Sequence, residues 1–152
     1  MSEPDRRALV PADFEVPTPP EHSDFRFEPL GAEHNERDFA AWMGSIEHIK
    51  ATPGFVGRDW PVEMALDDNL GDLVRHAEDF AARTGFTYSI LAGDDVIGCP
   101  YIYPSRGDDY DADVRSWVTA ERAELDAVLW RVTSDWLARD WPFTNPEYAA
   151  RT

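Results

Sequence analysis

Between Phe86 and Phe143, three apolar runs separated by turn signals lead directly into one long amphipathic segment. That order predicts a three-strand antiparallel meander followed by a helix. In Phe86–Ala92 the residues Phe86, Tyr88 and Ile90 point one way while Thr87, Ser89 and Leu91 point the other, as a half-buried strand requires. Gly93-Asp94-Asp95 closes a hairpin, and Val96–Tyr103 is the return strand, with a bulge or missing hydrogen bond expected at Pro100, which cannot donate. Arg106–Asp111 reads as a polar loop and Val114–Thr119 as the third strand. From Glu121 onward, Leu125, Val128, Leu129, Val132 and Trp136 form one helical stripe that Trp141-Pro142 ends.

Upstream, Phe25–Leu30 (FRFEPL) is a short strand, and Asn35, with Asp38 three residues on, caps a helix with the stripe Phe39, Trp42, Met43 and Ile46. Thr52-Pro53-Gly54 stops it. Phe55–Leu66 lacks a period and reads as a linker anchored by Trp60. A second helix is expected from Asp68-Asn69, capped by Asn69, with the stripe Leu70, Leu73, Val74, Ala77 and Phe80 and Gly85 at its C-terminal end. His76, between that stripe and the polar face, reads as structural. Residues 1–24 carry five prolines among acids and make an extended arm, with Leu9, Val10, Phe14 and Val16 apolar enough to dock. The expected organisation is thus an arm over 1–24, a domain over 25–143 and a tail over 144–152.

These elements resemble the GCN5-related N-acetyltransferases. The runs FRFEPL, YSILAGDDVIG and Ser116-Trp117-Val118, with the helix behind them, match the first to fourth strands and third helix of that fold. The resemblance implies an α+β architecture, a mixed and mostly antiparallel sheet flanked by helices, here truncated after the third helix. It further implies acetyl-CoA as cofactor and an amine of a small molecule or peptide as acceptor. The backbone of Trp117, Val118 and Thr119 would pair with the pantetheine arm, and the N–H groups of Arg122 and Ala123 would approach the pyrophosphate. Asp113 or Glu121 is the nearest carboxylate for a base, and Tyr148 stands where a tyrosine acid would be sought. His48 and Trp60 would face the acceptor.

Two departures accompany the likeness. The family's glycine-bearing phosphate loop corresponds here to Thr119-Ala120-Glu121-Arg122-Ala123-Glu124-Leu125-Asp126, which has no glycine and three acids. After the third helix only Thr144–Thr152 remain, room for one short strand or a helical turn. A non-catalytic binding module on this fold, or an acidic subunit completing its sheet across a homodimer, are the alternatives.

Thirty acidic against fourteen basic side chains give a formal net charge of −16, which argues against nucleic acid and anionic membranes and draws in cationic amines. Cys99 is the sole cysteine, so no intrachain disulfide forms, and its strand position between Gly98 and Pro100 points to packing. No zinc spacing is present, and the acidic loop Asp108–Asp113 fails the calcium pattern, having Val114 where glycine and Ala120 where glutamate is required. Without an h-region near Met1 or a run of membrane-spanning length, a cytoplasmic location is expected.

Overall fold

The computed structural model describes residues 8–151, so the expectation for the first seven residues of the arm lies outside the described residues. The elements, in order, are β1 (Arg26–Pro29), a 3-10 turn (Ala32–His34), α1 (Asn35–Met43), α2 (Ile46–Lys50), α3 (Leu66–Ala82), β2 (Phe86–Ala92), β3 (Asp95–Tyr103), β4 (Ala112–Val118), a second 3-10 turn (Ala120–Leu125), α4 (Asp126–Asp140) and β5 (Pro146–Tyr148). The strands form one sheet in the order β1-β2-β3-β4-β5. All neighbours are antiparallel except β4 and β5, which run parallel through Ala112↔Pro146, Asp113↔Glu147 and Val114↔Tyr148.

The meander forms where alternation placed it; of the two expectations at Pro100 the missing pairing is met, since β2 and β3 pair at Thr87↔Tyr101 and next at Ile90↔Gly98, while the bulge lies elsewhere. Ile90 pairs with Gly98 and Leu91 with Val96, so Ile97 is the extra residue, while Pro100 sits opposite Ser116 in regular register with β4. Gly98 is required there, because a Cβ would lie 2.6 Å from the Trp117 carbonyl oxygen. Gly98→Ala is expected to cost about 1–3 kcal/mol, since backbone rather than a side-chain tip must give way; urea denaturation checks it.

Strand alternation sorts the buried residues into two clusters. Phe86, Tyr88, Ile102, Val114 and Val118 pack with Trp136, Leu129 and Leu137 of α4, and Val10 of the arm joins them. Phe14 of the arm meets Trp141 at 5.3 Å, and Arg83 donates to the carbonyls of Pro11 and Phe14. The second cluster holds Cys99 and Trp117 with Trp42, Ile49 and Phe55, under α1, α2 and the linker.

The helix boundaries correct several expectations. The single helix expected from Asn35 is two, broken at Gly44-Ser45, and it is preceded by the 3-10 turn, so Asn35 lies inside it. α3 begins at Leu66, where Asp68 accepts the Ala65 N–H at 3.3 Å. Asn69 is therefore an interior residue, buried, accepting from Trp42 Nε1 at 3.1 Å and donating to Asn35 Oδ1 at 2.9 Å and Asp38 Oδ2 at 3.1 Å. Its short amide satisfies three partners at once, which outweighs its preference for a cap. Leu70 and Val74 face outward at 37% and 40% exposure, so the buried face of α3 is rotated from the expected stripe. Arg83, at φ 66°, closes α3 in the left-handed region, and Gly85 instead makes room for the Tyr103 ring. The segment from Glu121 begins as a 3-10 turn, and α4 starts only at Asp126.

Candidate functional site

β5 accompanies β4 for only three residues. Beyond Val114 the β5-facing edge of β4 has no strand partner among the described residues, and the residues that follow β5 enter the space. Arg151, with 4% of its side chain exposed, donates from its terminal nitrogens to the Ser116 carbonyl at 2.8 Å and the Ala149 carbonyl at 2.6 Å, and its Nε pairs with Asp126 at 2.8 Å. Tyr148 stands beside it, its hydroxyl 2.6 Å from Ser116 Oγ and its ring 5.9 Å from the guanidinium carbon. Burial pushes the Tyr148 phenol up to about 12, so it keeps its proton at neutral pH.

At the far end of β4 the glycine-free turn is partly committed to internal bonds. The Ala120 N–H donates to Ser45 Oγ at 2.9 Å, and the Arg122 N–H donates to the Thr119 carbonyl at 2.9 Å. The hydroxyl that follows α1 thus occupies the first donor of a turn expected to present donors to an anion.

On the face covered by α1 and α3 lies a cavity of about 360 Å³. Phe55, Trp60, Tyr101 and Tyr103 give it aromatic walls, and Asp38, Asp72, Asp79 and His76 line it together with Arg58, Arg75 and Arg115. Trp60 is fixed against Trp42 at 5.3 Å, Phe55 at 5.8 Å and Trp117 at 6.2 Å. Arg115 extends from β4 into this cavity, stacks on Phe55 at 5.8 Å and pairs with Asp113 at 3.6 Å. The unpartnered stretch of β4 and the cavity therefore meet at Arg115-Ser116.

Two titratable groups in the cavity are displaced from their ordinary behaviour. Asp38 is 4% exposed; its Oδ2 takes the Asn69 amide, while Oδ1 has no hydrogen-bond partner among the described residues. Burial raises its pKa to about 6. His76 has Nδ1 at 2.7 Å from the Tyr103 hydroxyl, which itself donates to Asp79 at 2.8 Å. With the phenol proton directed at Asp79, the Tyr103 oxygen is open to an Nδ1–H donor, and Thr87 Oγ1 lies 3.3 Å from the same nitrogen. Burial, and then Arg75, hold the His76 pKa below its ordinary value, so the ring is neutral at pH 7.

Of the residues singled out from sequence, Trp60 lines the cavity and Tyr148 lies against β4, whereas His48 is half-buried in α2 and does not line the cavity. Asp113 flanks the cavity through Arg115, and Glu121 is exposed in the 3-10 turn. Trp117 and Val118 are fully buried, and Thr119 donates its N–H to the Ile97 carbonyl at 2.9 Å. Arg122 and Ala123 lie in the 3-10 turn. Cys99 is buried, and burial raises its thiol well above the ordinary range, in keeping with packing. Sequence reasoning missed Asp38, Arg115 and Arg151. Asp38 carried a usable signal, since it lies four residues before Trp42 and shares its buried face.

No protein-family model matches the sequence, and neither does any curated protein. Solved structures do match. RimL, a ribosomal L7/L12 α-N-protein acetyltransferase in complex with coenzyme A, aligns with a TM-score of 0.60 at 12% identity over 79% of this chain and 67% of its own. The ribosomal-protein-S5-alanine acetyltransferase of Vibrio fischeri gives 0.57 at 14% identity over 77% of this chain and 65% of its own length. An acetyltransferase of Thermus thermophilus gives 0.52 at 12% identity, over 76% and 68%. The three-residue β5, parallel to the start of β4, stands beside the fourth strand where the resemblance places the fifth. With its antiparallel meander, short parallel β4–β5 pair and flanking helices, the chain has the α+β fold of the GCN5-related N-acetyltransferases.

Proposed function

We propose that this chain is a GNAT-like N-acetyltransferase that transfers an acetyl group from acetyl-CoA to the amine of a small molecule or peptide. The observation that supports it is the end of the β4–β5 pairing at Val114↔Tyr148, beside a cavity with acidic and aromatic walls. Acetyl-CoA would supply the acetyl thioester, and its fit depends on Arg151 leaving the Ser116 carbonyl. The β4 edge at Trp117–Thr119 would then hold the pantetheine arm, with Arg122 and Ala123 toward the pyrophosphate. Tyr148, whose proton is retained by burial, is the acid for the departing sulfur. For the proton leaving the acceptor amine, Asp113 and Glu121 are the carboxylates nearest in sequence. His76 is better suited, being neutral, in the cavity and held at Nδ1 by the Tyr103 hydroxyl.

A second reading has its own support. Arg151 in the groove and Ser45 on the Ala120 N–H favour a binding module that keeps the cavity and forgoes the cofactor. Calorimetric titration with acetyl-CoA at low and physiological salt separates the two. Saturable micromolar binding at both salts supports the transferase; absence of heat up to millimolar cofactor excludes it and leaves the module.

A further inference from the structure

Asp38 is the most unusual side chain in the cavity, because it is a nearly inaccessible carboxylate to which no arginine or lysine is paired among the described residues. Its one hydrogen bond there comes from the neutral Asn69 amide, and the charge of His34 also favours its ionised form. His34 is itself engaged elsewhere, with Nε2 at 3.0 Å from Glu28 and Nδ1 accepting the Gly31 N–H at 3.1 Å. Two of the arginines that line the same cavity have other partners: Arg75 pairs with Asp72 at 3.0 Å and Arg115 with Asp113 at 3.6 Å. Holding a nearly inaccessible carboxylate ionised with one neutral donor carries a desolvation cost that a cationic ligand would offset. Phe55, Trp60 and Tyr101 line the same cavity, and aromatic rings favour a cation as well as apolar surface. The space is at the small end of the range for organic ligands.

We propose that this cavity binds an organic amine through its primary ammonium, which donates to the free Asp38 oxygen while an apolar, arene-sized body lies among Phe55, Trp60 and Tyr101. An ammonium supplies the N–H donor and the positive charge that Asp38 lacks within the chain. As the acceptor class of a transferase this rests on the reading above; as a binding site it needs no acyl donor.

The test is calorimetric titration of the whole chain, without acetyl-CoA, with phenethylamine and with its neutral isostere 2-phenylethanol. Phenethylamine should bind saturably, 2-phenylethanol at least about tenfold more weakly, and Asp38→Asn should weaken phenethylamine about ten- to a hundredfold. Trp60→Ala should weaken it as well, through loss of the ring wall. Circular dichroism establishes that each variant is folded. Equal binding of amine and alcohol, indifference to Asp38→Asn, or no heat from phenethylamine up to about ten millimolar, far above useful affinity, each overturns the proposal. Since acetyl-CoA is absent, a chain that binds phenethylamine and refuses the cofactor retains this site and loses only the transferase reading.

Discussion

Arg151→Ala should bind acetyl-CoA at least about tenfold more tightly than the native chain and should also be less stable. Arg151 spends three hydrogen bonds on Ser116, Ala149 and Asp126, and any ligand that pairs with the β4 edge must first break the one to the Ser116 carbonyl. Displacing a hydrogen-bonded guanidinium from a buried carboxylate costs about 3–5 kcal/mol when the partner stays dry. Asp126 is 21% exposed and regains some water, so about 2–3 kcal/mol is the better expectation for the loss of folding stability. Part of the same free energy returns as cofactor affinity, and each 1.4 kcal/mol is about tenfold. The two signs are opposed. A residue that merely held the fold together would lower stability and affinity alike. Urea denaturation and calorimetry on the same preparation decide the matter, and an unchanged or weaker affinity in the folded variant rules out a blocking role for Arg151.

Asp38→Asn should stabilise the protein at neutral pH. Asp38 titrates near 6 in the folded chain against a reference of 3.8, with burial the main cause and Asn69 and His34 opposing it. His34 faces it from the first 3-10 turn, Asn69 and Asp72 from α3, and Cys99 and Tyr101 are coupled to it from β3. Because the folded pKa is raised, the native state holds the proton more tightly than the unfolded chain. The resulting stability is fully present below about 4 and is lost as pH rises through 6. At pH 7 the ionised group therefore costs about 3 kcal/mol. An asparagine keeps an acceptor for the Asn69 amide and removes the charge, so a gain of about 2 kcal/mol is expected at pH 7 and almost none at about pH 4. Denaturation curves at the two pH values check this, and equal effects at both would mean that Asp38 carries no desolvation cost. A carboxylate retained at such a cost fits a site that needs its charge.

The contrast between what the sequence disclosed and what it concealed follows from the range of the signals. β2, β3 and β4 were legible because Phe86, Tyr88 and Ile90 alternate with polar partners over enough residues to fix a face. Trp60 was legible as a large aromatic in a polar linker. Arg151 was not: it belongs to no repeating pattern, and its place is set by a three-residue strand too short to alternate visibly. Asn35 and Asn69 looked like caps, and Asp38 like the acid of a capping box, because short polar residues near a helix start usually play those parts, yet both helices began earlier than the cap rules placed them. The Ser45–Ala120 bond joins residues far apart in the chain and has no local signature. Composition raised the expectation of a cationic ligand without locating the carboxylate that would receive it.

The root of the tail is clasped independently of its tip. Asp111 accepts the Thr144 N–H at 2.7 Å and the Asn145 N–H at 3.1 Å, its own N–H donates to the Asn145 carbonyl at 3.2 Å, and the Asn145 amide donates to the Asp109 carbonyl at 2.6 Å. With residues 144–148 tethered in this way, Arg151 competes for the groove at an effective concentration of about millimolar or more, set by the few residues between tether and tip. Such a competitor cannot be diluted away. Any incoming cofactor meets the same opposition in a nanomolar solution of the protein as in a millimolar one.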